Sequence, residues 1–226
     1  NYLSFSPRLI RFGSSGLAGV WAEENTRESI YNAFRRKETF GTSGPRIKVR
    51  FFAGYNFENS NLNDQDLIQE AYSKNVPMGG DIIQEKGKNP RFLVWAISDP
   101  LGAPLQRVQI IKGWLADGEQ REKVFDVACS DGQSVNPLSH RCPDNGAKVN
   151  LDDCSISREK GNAEIKTFWQ DPEFSNDQEA FYYARVLENP TCRWSTWDAV
   201  RAEEKPRSDI PVTIQERAWS SPIWIK

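Results

Sequence analysis

Few residues in this chain are equipped for chemistry, and the densest group of them is the stretch SHRCPDNGA, residues 139–147, which holds the only histidine, His140, beside Arg141, Cys142 and Asp144. A histidine next to a cysteine is the raw material of a zinc site or of a thiol–imidazole nucleophile. A zinc site needs several such ligands, yet His140 has no second histidine and none of the four cysteines, Cys129, Cys142, Cys154 and Cys192, forms a CxxC pair. An even cysteine count without CxxC fits two disulfides in an exported protein, with reduced buried thiols or a metal site as the alternatives. Of the three possible pairings, Cys142 with Cys154 is expected because it closes a polar loop, which leaves Cys129 and Cys192 to meet between strands. Pro143 and Asn145-Gly146 specify a turn. The stretch therefore reads as a rigid accessory loop able to present His140, Arg141 or Asp144 to a site built by other residues. Ser139 is too near His140 in sequence for a triad, and no serine lies in a GxSxG elbow.

Other candidates are binding groups. Arg35, Arg36, Arg46, Lys48 and Arg50 form a basic run suited to phosphate, although a solvated charged face is the simpler reading. GTSG, residues 41–44, lacks the Lys-Ser/Thr ending of a phosphate loop. Trp194 and Trp197, and likewise Trp219 and Trp224, are candidates for an aromatic platform under sugar rings, against core packing as the default for large aromatics. The charge balance, 29 basic against 31 acidic side chains with a pI near 5.7, argues against nucleic acid as a partner. No apolar run reaches the ~18 to 20 residues that span a bilayer. A chain opening NYLSFSPRLI, without Met, is expected to be a processed product or a piece of something longer.

The elements that must position these residues follow from periodicity and turn chemistry. NTRESIYNAFRRKE predicts a helix capped by Thr26, with Glu23, Glu24 and Glu28 near its positive end and Arg35, Arg36 and Lys37 near its negative end. Ile30, Ala33 and Phe34 share one face of it, which is expected to pack on a core. GLAGVW before it and the alternating RIKVRFF after it make a strand–helix–strand unit, which in a parallel sheet needs further strands beside it. Beyond residue 58 comes a polar connection with room for a helical turn, then the strand-like runs RFLVWAI, LQRVQIIKGWL, EKVFDVAC, AEIKTFW, AFYYARVL and SPIWI. Asp117-Gly118 predicts a hairpin turn, and Pro222 places the last strand at an edge or a bulge. Short antiparallel strands at this spacing predict a β-sandwich.

The runs GLAGVWAEENTRESIYNAFRRKETFGTSGPRIKVRFFAGY, PLQRVQIIKGW, VFDVACSDG, HRCPDNGA, AFYYARVLENPTCRWSTWDA and TIQERAWSSPIW resemble the C-terminal third of a family of large exported bacterial proteins known only as a domain of unknown function. That family in turn resembles the PHP-type (polymerase and histidinol phosphatase) metal-dependent phosphoesterases. The resemblance implies an α+β, β-rich chain: residues 1–58 would be the terminal βαβ piece and closing strand of a distorted β/α barrel, and residues 59–226 a β-sandwich-like module with a disulfide-stapled insertion. It also implies a periplasmic or extracellular location and a divalent metal (Zn, Mn or Mg) held by an upstream barrel domain, because this chain lacks the His-x-His motif and has no cofactor site of its own. In such a barrel the loop after a strand faces the active site. Trp21, Glu23 and Glu24 would then serve the site, although first-turn carboxylates also simply complement a helix terminus. Two readings follow. One is a contributor to a metal-dependent hydrolase of a phosphate or related ester, not catalytic alone. The other is a non-catalytic β module that contacts glycan or a partner protein through exposed tryptophan.

Overall fold

A computed structural model describes residues 11–13, 15–57 and 61–226. In chain order its elements are β1 (Leu17–Val20), α1 (Arg27–Arg35), β2 (Thr39–Thr42), β3 (Lys48–Gly54), α2 (Leu67–Lys74), β4 (Val76–Pro77), β5 (Asp81–Ile82), β6 (Arg91–Ile97), β7 (Leu105–Ala116), β8 (Glu119–Cys129), β9 (Glu164–Gln170), β10 (Ala180–Glu188), β11 (Thr191–Cys192), α3 (Trp194–Arg201), β12 (Thr213–Ile214), β13 (Arg217–Ser220) and β14 (Ile223–Ile225). The expected boundary between residues 58 and 59 lies outside the described residues.

Two largely antiparallel sheets face each other. Among the described residues the larger has eight strands: β10 pairs with β7 along one side, β8 follows β7 through the Asp117-Gly118 hairpin, and β5 pairs parallel with β14 at an edge. Along its other side β10 meets β13 and then β14, which Ser221-Pro222 separate, and β2 and β1 continue outward from β13. The smaller sheet runs β4-β3-β6-β9. Positive φ at Asp117 and Gly118 is the conformation that Asp-Gly tolerates and a tight hairpin needs.

Strand alternation builds the core. Val49, Phe51 and Ala53 of β3 and Phe92, Val94 and Ala96 of β6 meet Val108 and Ile110 of β7, Tyr182, Ala184 and Val186 of β10, and Ile223 and Ile225 of β14 in one buried cluster. The opposite face of the smaller sheet is covered by α2: Phe52 and Leu93 pack with Phe57, Leu67 and Ala71. Between the sheets Lys112 of β7, 3% exposed, donates to the Asp171 carboxylate at 2.6 Å, and Asp171 also accepts from the Tyr182 hydroxyl at 2.7 Å. Burial, with the Asp171 charge, raises the Tyr182 pKa above its usual value, so the phenol stays a donor.

The parallel strand–helix–strand unit is not formed. The segment after α1 returns at once as β2, which pairs antiparallel with β1, and β3 crosses to the other sheet. The physical reason lies in α1. It is capped as expected, Thr26 accepting from the Ser29 N–H at 3.2 Å, but of its apolar residues only Ala33 is buried, while Phe34 is 52% and Tyr31 58% exposed. A helix with so small a buried stripe cannot cover a sheet face as a parallel crossover requires. Among the described residues the sheets also do not close into a barrel.

The disulfide pairing also differs from expectation: Cys129 bonds Cys142, and Cys154 bonds Cys192. Asp126, buried in β8, accounts for the first. Its N–H donates to the His140 carbonyl at 2.9 Å and its carboxylate accepts the Cys142 N–H at 2.7 Å, so the loop lies along β8 and brings Cys142 to the end of that strand.

Candidate functional site

The loop after β1 and the strands beside it form a cleft of about 280 Å³ lined by Trp21, Glu23, Arg36, Glu38, Arg50 and Tyr72. Trp21 is fixed by its indole N–H, which donates to the Val49 carbonyl at 2.8 Å. The Arg50 guanidinium lies 3.6 Å from the Trp21 ring centroid and donates to the Tyr72 hydroxyl at 2.8 Å. Tyr72 in turn donates to Glu38, a carboxylate only 3% exposed. Arg36 bridges the two acids, at 3.1 Å from Glu23 and 3.4 Å from Glu38. Desolvation, then the hydrogen bond to Glu38, pushes the Tyr72 pKa up to about 12. Glu23 is held below the usual carboxylate range by its own backbone N–H, the Ser29 hydroxyl and the Arg36 charge.

Two guanidinium groups and two carboxylates make this cleft close to neutral, but its parts are not equally committed. Glu38 is buried, whereas the Glu23 side chain is 70% exposed against 43% for Arg36. An exposed ion pair of this kind contributes only about 0–1 kcal/mol. A phosphate oxygen can therefore displace Glu23 from Arg36 at little cost, and the planar Arg fork suits such an oxyanion.

Of the residues singled out by sequence, Trp21 and Glu23 do meet here, while Glu24 is exposed and its N–H donates to the Ser29 hydroxyl at 3.1 Å. From the basic run only Arg36 and Arg50 line the cleft. Arg35 and Lys48 point to solvent, and the Arg46 N–H is bound by Asp99 at 2.7 Å. Glu38 and Tyr72 escaped sequence reasoning. Glu38 follows the basic end of α1 and offered a faint signal; Tyr72 lies on α2, in a connection that only its fold brings beside β3.

His140, Arg141 and Asp144 are elsewhere. The His140 ring packs edge-on against Phe125, centroids 5.1 Å apart, at positive φ. Arg141 lies 3.5 Å from Asp126, and the Asp144 carboxylate accepts the Gly146 N–H at 3.0 Å. Asn145, 5% exposed, is the hub: it donates to Ser130, Asp131 and Asn189 and accepts from Gln106. Every one of these contacts stabilises the loop's own fold. Trp194 is half-buried, its indole N–H donating to the Phe12 carbonyl at 2.8 Å, and Trp197 on the same helix is 37% exposed. Trp224 on β14 is 41% exposed, with its ring 5.0 Å from that of Phe181.

The described residues do not fit the divalent metal that the PHP-like resemblance implies for the whole protein. Among them, no three of His, Cys, Asp and Glu gather in a way that could hold an ion. No helix among the described residues is long and apolar enough to cross a membrane. Comparison with curated proteins and with solved structures finds no match. A family model does match, over residues 5–226, and the chain belongs to the family described as a protein of unknown function, DUF3604.

Proposed function

We propose that this chain is the β-rich portion of an exported metal-dependent hydrolase of phosphate or related esters, PHP-like in kind, and that it is not catalytic alone. The observation that carries the reading is the Trp21–Glu23–Arg36–Glu38–Arg50–Tyr72 cleft, where Arg36 after α1 and Arg50 on β3 bring two guanidinium groups beside the loop that follows β1. In this role Arg36 and Arg50 bind and orient the anionic group, Trp21 and Tyr72 hold Arg50 in place, and the buried Glu38 holds Arg36. The metal and its ligands belong to the upstream barrel domain. Two disulfides suit an oxidising compartment. The exposed stripe of Tyr31 and Phe34 on α1 and the edge strand β1 give that domain a surface to cover.

The intact protein should contain a divalent metal and hydrolyse p-nitrophenyl phosphate or its diester. Arg36→Ala should lower kcat/KM by about tenfold or more, the loss of one charge-assisted hydrogen bond pair. No bound metal and no ester hydrolysis by the intact protein would falsify the reading. The second reading, a module that contacts glycan through tryptophan, is favoured by the exposure of Trp197.

A further inference from the structure

We propose that the cleft between the 99–103 turn, the 153–158 loop and α3 is a saccharide site, in which a sugar ring stacks on Trp197 and its hydroxyls hydrogen-bond to Glu188 on the floor. The cleft measures about 630 Å³ and is lined by Gly102, Asp153, Arg158, Glu188, Trp197 and Glu216 among other residues. That volume is in the range of ordinary small-molecule sites. It shares no lining residue with the Trp21–Tyr72 cleft, so the proposal stands whether or not the ester reading does.

Glu188 is the observation that points to a ligand. It ends β10, is 1% exposed, and accepts the Ala103 N–H on Oε2 at 3.2 Å, while Oε1 has no hydrogen-bond partner. A buried polar atom without a partner is uncommon and costs stability. Gly102 packs close to this carboxyl, since a Cβ there would stand 2.8 Å from Oε1 and 3.2 Å from Oε2, so only glycine leaves the carboxyl its place at the edge of the cleft. The charged groups around Glu188 are Asp99 on the turn, Glu216 before β13, and Arg158 and Asp153 on the loop. Burial, with Asp99 and Glu216, raises the Glu188 pKa to about 8. Near neutral pH it is thus an uncharged acid with one O–H to give and an oxygen to accept, which matches a ligand hydroxyl better than a cation or an anion.

The walls suit the same ligand. Trp197 lines the cleft and is 37% exposed, with the Arg201 guanidinium 5.3 Å from its ring centroid. A sugar ring offers one apolar C–H face and an edge of hydroxyls, and here an aromatic face is bordered by carboxyl and guanidinium groups. Cys154 lines the cleft and is bonded to Cys192, which fixes the loop to β11 just before α3, so little ordering entropy remains to be lost on binding.

The test is titration of this chain with glucose, galactose, N-acetylglucosamine and their β1,4-linked disaccharides at pH 6.5, read by tryptophan fluorescence and calorimetry. At least one should saturate. Trp197→Ala, a change at the surface, should weaken that sugar about tenfold or more. Glu188→Gln keeps a neutral donor and acceptor and should bind within about threefold of the parent, while Glu188→Leu, shown folded by circular dichroism, should not bind. Absence of saturable binding by every sugar, or unchanged binding by Trp197→Ala, overturns the proposal. So does saturation by Mg2+ or Ca2+ that Glu188→Gln abolishes, which would make the cleft a cation site.

Discussion

Glu188 also governs how stability responds to pH, because a buried carboxyl with a raised pKa holds a proton that the unfolded chain has lost. Its ordinary value is 4.5 and its folded value about 8, so between those limits the folded state binds more protons than the unfolded state. Stability therefore falls as pH rises through this window and levels off above it. Glu188→Gln should abolish this component. Calorimetric melting is expected to show the variant equal to the parent near pH 4.5 and more stable at pH 8.5 by on the order of 1–3 kcal/mol. The raised pKa was beyond sequence reasoning, since nothing local marks Glu188. Its acidic neighbours come from the 99–103 turn and the segment before β13.

Elements are joined by two devices whose loss has different signatures. Lys112 of β7 and Asp171 after β9 tie the two sheets through a buried ion pair with side chains 4% and 0% exposed. Lys112→Ala leaves Asp171 charged, buried and short of a cation, and urea unfolding should show a loss of about 3–5 kcal/mol. The insertion between β8 and β9, by contrast, has no strand of its own and is held by Cys129–Cys142, Cys154–Cys192 and the Asn145 hub. Replacing Cys129 and Cys142 together by serine should cost about 2–4 kcal/mol and open residues 131–160 to trypsin, with cleavage mapped by mass spectrometry. That the insertion is stapled was legible from Cys142, Pro143 and Asn145-Gly146. Which cysteines pair was not, because Asp126, the residue that folds the loop along β8, announces itself only once buried.

For the molecule as a whole, the first described segment is part of both sheets: β2 pairs with β13, and β3 lies between β4 and β6. A chain that begins at Asn61 would lose the β3 contribution to the core, Val49, Phe51 and Ala53 among it, and should show no cooperative thermal transition by circular dichroism. Limited proteolysis of the whole chain should likewise leave residues 17–54 attached. On α1 the opposite holds. Tyr31 and Phe34 are exposed, so Tyr31→Glu with Phe34→Glu should change the stability of this chain by less than about 1 kcal/mol in urea unfolding.

Local physics explains what the sequence by itself determined. Thr26 caps α1 because its side chain reaches an N–H three residues away; β3 alternates because side chains on a strand do; Asp117-Gly118 turns because those residues tolerate positive φ. The strand segments of β6 to β10 were readable for the same reason, and so was the β-rich, largely antiparallel character of the fold. The tertiary structure alone decided how strands are paired, which cysteines meet, and that Arg36 finds Glu38 and Tyr72 while Glu188 is left with one empty oxygen. Each of those depends on contacts between distant segments, such as Glu38 with Tyr72 or Ala103 with Glu188. Burial, which sets the charge state of such groups, exists only after the two sheets have closed on each other.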